Sequence, residues 1–244
     1  MDIVIGRNPV QEVLQGSRQV SQVFLARGTR GKPVDKILDM ARKKGVPVEY
    51  IPREELAEKA DSGSHQGVLA YVEEFTYASL EEIIVRSKKK GTAPFLIILD
   101  QIQDPHNLGS IIRTAEALGA DGIIIPAHRA CGITPTVSKT SAGAVEHIPV
   151  AQVTNINHTI SELKEKGIWI YGLEMTGENQ LSATDLKGPL ALVVGSEGSG
   201  LRRLVKENCD FLVQIPLRGQ INSLNASVAA GIMIYEIFRQ RAGL

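Results

Sequence analysis

Two five-residue runs, FLIIL (95–99) and LALVV (190–194), are apolar at every position. A strand with one wet face alternates apolar and polar residues, so runs like these belong to strands covered on both faces. Around them the strand and helix signals alternate. Strands are expected at 95–100, 122–125, 169–173, 190–195 and 211–215, with helices at about 107–118, 137–145, 156–166 and 224–239. This is the pattern of a parallel sheet layered between helices. Ligands of such sheets bind beyond the carboxyl ends of the strands, which directs attention to the loops that follow them.

The first 75 residues repeat the α/β theme on a smaller scale, with helices at 9–14 and 34–44 and strands at 20–26, 46–51 and 67–72. The stretch 76–94 carries Leu80, Ile83 and Ile84 and then Lys88-Lys89-Lys90-Gly91, a short amphipathic helix running into an exposed linker. The expected division is a small domain over 1–75, a linker over 76–94 and a larger domain over 95–244.

Charge narrows the function classes. Twenty-seven basic residues balance twenty-seven acidic ones, so the chain is not coated with cations for binding any polyanion. A local patch remains open: residues 27–53 hold eight Lys/Arg against three Asp/Glu, which fits either a solvated helix face or an RNA-backbone contact. Cys131 and Cys209 stand alone, as reduced thiols do, and the five histidines lack ligand spacing, so no metal is expected. No apolar run approaches the roughly 20 residues of a membrane span, and the first residues do not read as a signal peptide. The expectation is a soluble, cytoplasmic protein without a membrane partner.

Three post-strand loops are rich in chemistry. In LDQIQDPHNLGSIIRTAEALGA (99–120), Asn107 is placed to cap a helix, and Arg113 lies early in that helix. Arg113 either pairs with Glu116 on the surface or reaches the sheet's carboxyl edge. In VVGSEGSGLRRLV (193–205), Gly195, Gly198 and Gly200 permit close backbone approach or positive φ, in an order unlike dinucleotide and P-loop fingerprints. Glu197 within that turn fits a cation, a backbone cap or a ligand amine. In IPLRGQINSLNAS (215–227), Asn222 or Ser223 would cap the next helix, which leaves Asn225 and Ser227 in its first turn, facing the strand ends.

Together, DPHNLGSIIRTAEA (104–117), VGSEGSGL (194–201) and IPLRGQINSLNASVAAGI (215–232) resemble the motifs of the SpoU (TrmH-type) RNA ribose 2′-O-methyltransferases of the SPOUT superfamily, in the family's order and spacing. GRNPVQEVL (6–14) and SHQGVLAYV (64–72) resemble the family's substrate-binding domain, which is like ribosomal protein L30e. The two-domain layout is most similar to the subgroup that methylates a guanosine ribose in the peptidyl-transferase region of 23S rRNA.

The resemblance implies an α/β fold whose C-terminal parallel-sheet domain holds a deep trefoil knot, S-adenosylmethionine as cofactor, and a homodimer with shared active sites. It implies cofactor contacts at Leu173, Gly195, Gly198, Gly200, Ile215, Leu217, Ser223 and Leu224. It implies a catalytic group of Asn107, Arg113, Glu197, Ser223 and Asn225, with Arg113 acting on the target hydroxyl as a base or as a positioning cation. RNA contacts would fall at Arg7, Asn8, His65, Gln66, Arg202 and Arg218, although Asn8 also suits a helix cap and Arg218 a solvated loop.

Overall fold

The computed structural model describes residues 1–61, 64–177, 179–220 and 223–244. Its first compact unit comprises Met1–Thr76 together with Ile133–His147. The elements are β1 (Asp2–Ile5), α1 (Arg7–Gln15), β2 (Val20–Ala26), α2 (Lys32–Lys44), β3 (Val48–Ile51), α3 (Arg53–Ala60) and β4 (Val68–Val72). The sheet order is β1-β4-β2-β3, with β4 antiparallel to β1 and β2, and β3 parallel to β2. Both faces are covered. Val10, Val13 and Leu14 of α1 and Val34 and Ile37 of α2 meet one face, while Leu56 and Ala60 of α3 meet the other.

The second unit comprises Tyr77–Gly132 and Ile148–Leu244. It begins with α4 (Leu80–Lys89), β5 (Phe95–Asp100), α5 (Pro105–Ala117) and β6 (Gly122–Pro126). After α6 (Pro135–Thr140), which belongs to the first unit, come β7 (Val150–Val153), α7 (Ile156–Glu165), β8 (Trp169–Leu173), β9 (Asn179–Gln180), β10 (Leu190–Gly195), α8 (Arg203–Glu207), β11 (Phe211–Gln214) and α9 (Ala226–Ala242). The described strands pair throughout in parallel, in the order β7-β6-β5-β10-β8-β11-β9. The two apolar runs are neighbours at the centre, with Leu190 beside Phe95 and Gly195 beside Asp100. Their residues are buried throughout, as strands covered on both faces require.

Two stretches depart from the expected boundaries. The stretch 77–94 is no exposed linker: Ser79 and Glu82 form a reciprocal capping box on α4, and Ile83 and Ile84 enter the core of the second unit. Gly122 makes room for this, since a Cβ there would lie 2.5 Å from Ile83 Cγ2. The lysine run contributes Lys90, whose Nζ lies 2.6 Å from the buried Asp121 carboxylate. Residues 133–147, in turn, pack within the first unit, where Glu146 accepts from Arg18 at 2.7 Å and His147 lies 2.8 Å from Glu12. The helix expected at 137–145 is correspondingly short, ending at Thr140 before Gly143 turns at φ 89° against Glu12.

Among the described residues no helix is long and apolar enough to cross a membrane, and no group of three or more His, Cys, Asp or Glu is placed to hold a metal.

Candidate active site

In the second unit, strand order determines which loops meet. β10 lies between β5 and β8, and β11 lies beyond β8, so the carboxyl ends at Asp100, Gly195, Leu173 and Gln214 stand side by side. The loops that follow enclose a cleft of about 450 Å³, within the range of about 300–1,000 Å³ typical of small-molecule sites. Leu173, Gly195, Gly198, Gly200, Ile215, Leu217, Ser223 and Leu224 all line it, together with Glu197.

The glycines have separate structural reasons. Gly198 and Gly200 have φ of 88° and 64°, where a side chain is strained. Gly195 is needed for space, because a Cβ there would sit 2.2 Å from the carbonyl carbon of Gly200. Ser196 and Gly200 exchange backbone hydrogen bonds of 3.2 and 3.0 Å, closing the five-residue loop on itself.

At the mouth of the cleft three side chains from distant segments converge. Asn107 Nδ2 donates to Glu197 Oε2 at 3.2 Å. Asn225 Nδ2 donates to Asn107 Oδ1 at 3.0 Å and to Glu197 Oε2 at 3.4 Å. Glu197 is therefore oriented through Oε2 alone, and no hydrogen bond to a described residue engages Oε1.

Local structure aims each amide. Asp104, not Asn107, caps α5, accepting from the amides of His106 and Asn107, so the Asn107 side chain is left for the cluster. Asn225, not Ser223, caps α9: its Oδ1 accepts from the Ser227 and Val228 amides and its Nδ2 faces the cluster. Asn222 lies outside the described residues.

Arg113 is elsewhere. Six residues beyond Asn107, it is about 9 Å further along α5 and about 120° around it. It is exposed, does not line the cleft, and pairs neither with Glu116 nor with any other described residue. Arg218 is likewise exposed and outside the lining. Arg202 has a structural engagement that its loop position did not announce. Asp100, fully buried at the end of β5, accepts from its amide at 3.0 Å and its Nε at 2.7 Å, with Nη2 also at 2.7 Å.

In the first unit, Arg7 and Gln66 hold each other: the Arg7 amide donates to Gln66 Oε1 and Arg7 Nε to the Gln66 carbonyl. His65 is 2 % exposed. Asn8 is exposed inside α1 and caps nothing, since the cap position belongs to Gly6.

Glu174 went unnoticed in the sequence although it lines the cleft. Its Oε1 accepts from the Met175 amide at 3.0 Å, and its Oε2 lies 3.6 Å from Lys206 Nζ. Its position immediately after β8 was the available signal. Asp100 was signalled too, as the one charge ending an all-apolar run. Burial pushes the Cys209 thiol up to about 12, so this cysteine offers no thiolate for chemistry.

Closely packed glycine loops at the carboxyl edge of a parallel sheet, opening onto an amide-held carboxylate, define a small-molecule site. The profile of the SpoU rRNA Methylase family matches residues 94–235, and that of the RNA 2'-O ribose methyltransferase substrate binding domain matches residues 3–78. A putative TrmH family tRNA/rRNA methyltransferase of Bacillus subtilis, YacO, is 48% identical over 240 residues, covering 98% of this chain and 96% of its own. The SpoU methyltransferase AviRb of Streptomyces viridochromogenes, solved in complex with AdoMet, superposes with a TM-score of 0.83 at 27% identity, over 99% of this chain and 91% of that one. An AdoMet-bound rRNA methyltransferase of Sinorhizobium meliloti gives 0.80 at 25% identity, over 98% and 87%. The chain belongs to the SpoU family of RNA methyltransferases.

Proposed function

We propose that this protein transfers a methyl group from S-adenosylmethionine to a ribose 2′-hydroxyl of RNA, and that its target is a guanosine in the peptidyl-transferase region of 23S rRNA. The observation that carries the reading is the convergence of Asn107, Glu197 and Asn225 at the mouth of the glycine-lined cleft.

The cleft suits the cofactor. Leu173, Val194, Ile215, Leu217 and Leu224 supply apolar walls for a flat base, and Glu174 and Glu197 supply acceptors for hydroxyl or ammonium groups. The close packing of Gly195 on the Gly200 backbone and the left-handed turns at Gly198 and Gly200 leave main-chain groups in its wall. When bound, S-adenosylmethionine supplies a methyl group already activated by its sulfonium. The protein's tasks are then to align the target oxygen with that methyl and to handle the hydroxyl proton. Asn107 and Asn225 hold Glu197 by one oxygen and leave Oε1 to receive the target or the cation that orients it. Arg113 is that cation: its planar guanidinium fork orients the 2′-hydroxyl and stabilises the developing alkoxide.

Because Arg113 stands apart from the cleft of its own chain, the active site is completed by a second copy. Exposed Val228, Ile232 and Tyr235 form an i, i+4, i+7 apolar stripe on α9, a face suited to burial in a homodimer. A trefoil knot in the last third of the chain belongs to the same reading.

The test is transfer of labelled methyl from S-adenosylmethionine to RNA from cells lacking the protein, followed by mapping of the modified nucleotide. Absence of label on RNA despite cofactor binding overturns the enzyme reading, and a mark on tRNA or elsewhere in rRNA overturns the proposed target. Arg113→Ala should abolish transfer while leaving cofactor affinity nearly intact. Co-expressed with Asn225→Asp, it should regain activity in mixed dimers, because one site then has both wild-type contributions.

A further inference from the structure

In the first unit β1, β2 and β3 run in one direction and β4 in the other, so the loops after the first three strands and the loop before β4 share one edge of the sheet. The edge segments 6–7, 27–31, 52–53 and 64–67 carry Arg7, Arg27, Arg30, Arg53 and His65, and no carboxylate. Arg27, Arg30 and Arg53 are exposed, and their guanidinium groups form no ion pair or hydrogen bond among the described residues.

The edge is firmly built. Gly6, Ala26 and Arg27 donate their amides to the carbonyls of Val68, Gly67 and Ile51. Gln66 and Gly67 are both left-handed, at φ 53° and 79°, and a Cβ on Gly67 would fall 2.3 Å from Thr29 Oγ1. His65 Nδ1 accepts from the Gly67 amide at 3.0 Å, which in the neutral ring assigns the proton to Nε2 and makes that atom a donor. Burial, with the charges of Arg53 and Lys139, lowers the basicity of His65 and keeps the ring neutral.

Three other cations of the 27–53 run have another role. Arg42, Lys43 and Lys44 lie in the last turn of α2, against the negative end of its dipole, and Lys44 Nζ donates to the Gly16 carbonyl at 2.7 Å. Since α2 starts beside the edge and runs back along the sheet, this group sits at the opposite end of the unit. Arg27, Arg30 and Arg53 are thus separated in space from the Arg42–Lys44 group at the far end of α2.

We infer that the edge formed by Arg7, Arg27, Arg30 and Arg53 around the His65–Gly67 turn is the RNA-docking face of this unit, and that it grips phosphodiester groups. The inference rests on RNA being the substrate. Phosphate is favoured because unpaired guanidinium forks match its oxygens, and because these segments carry no Phe, Tyr or Trp and their one imidazole, His65, is buried.

Two double variants with equal charge change test it: Arg27→Gln/Arg53→Gln at the edge, and Arg42→Gln/Lys43→Gln on α2. Binding to RNA from cells lacking the protein is measured against salt concentration, and the urea unfolding of the first unit, followed by amide hydrogen exchange at β2 and β4, is measured as the check on folding. The edge variant should bind RNA more weakly and lower the salt slope by about 1 per side chain removed. The α2 variant should leave both unchanged. Equal losses in the two variants, or unchanged binding in the edge variant, overturn the inference. Wild-type protein that binds this RNA but transfers no methyl group would instead refute the functional reading and leave the docking face standing.

Discussion

Asn225 does two jobs with two atoms, and substitution separates them. Its Oδ1 caps α9 through the Ser227 and Val228 amides, while its Nδ2 holds Asn107 and Glu197. Asn225→Asp keeps the cap, since Asp and Asn rank equally there, and the added charge gains about 0.3–1 kcal/mol from the helix dipole. The same change removes the donor and sets a second carboxylate beside Glu197 Oε2, to which Nδ2 is now 3.4 Å away. At that distance repulsion is about 1 kcal/mol at a dielectric constant of 80 and about 5 kcal/mol at 20. Both side chains are exposed, so the lower end applies, about 1–2 kcal/mol, enough to swing Glu197 out of register. Misplacement by about 1 Å costs on the order of 100-fold in rate. Asn225→Ala loses the network and the cap together, and the cap alone contributes about 1 kcal/mol. The expected result is that Asn225→Asp stays within about 1 kcal/mol of the wild type in urea but loses about 100-fold in methyl transfer, whereas Asn225→Ala loses the cap as well and is the less stable of the two. Wild-type transfer by Asn225→Asp, or destabilisation equal to that of Asn225→Ala, would refute the division of labour.

Gly195→Ala drives a methyl group into the Gly200 backbone and should cost about 1–3 kcal/mol along with cofactor affinity. Gly188→Ala, where a Cβ meets nothing within 4 Å, should change the melting temperature little and serves as the control. Asp100→Asn should destabilise by about 2–4 kcal/mol in urea, because it weakens a buried charge-assisted grip on Arg202. Arg202→Gln should then add little further loss in the double variant; full additivity would show that the two groups are not coupled. His65 has its basicity lowered by burial and by Arg53 and Lys139, so the unfolded chain takes up its proton first as pH falls through about 6.5. Its contribution to stability is complete above that pH and declines below it. The urea midpoint of the wild type should fall between pH 7.5 and 5.5 more steeply than that of His65→Asn, and parallel profiles would contradict this.

Patterns of a few residues carried much of the second unit. FLIIL and LALVV announced buried parallel strands because both faces of each are covered, and the central strands β5 and β10 follow from that burial. Short or weakly patterned elements were not legible. β1 and β7 have four residues each, and α3 (REELAEKA) buries only Leu56 and Ala60, so periodicity has too little to act on. The segment 76–94 misled for a different reason. A lysine run looks solvated whether or not its helix is docked, and Ile83 found its place only because Gly122 leaves a gap on another strand.

The residues that line the cleft and hold Glu197 were visible in the linear sequence as polar and glycine-rich loops where strands end, because such edges need few side chains of that kind for structure alone. Their partners were not. Asn107 meets Glu197 across 90 positions and Asn225 across 118, a distance closed only by the order in which β5, β10, β8 and β11 pair. The same limit applied to charge. Sequence could count the cations of residues 27–53, but only the course of α2 separates those serving its dipole from those left free at the sheet edge. Composition and periodicity are local quantities. Hydrogen bonds between segments depend on chain topology, and that is decided by packing.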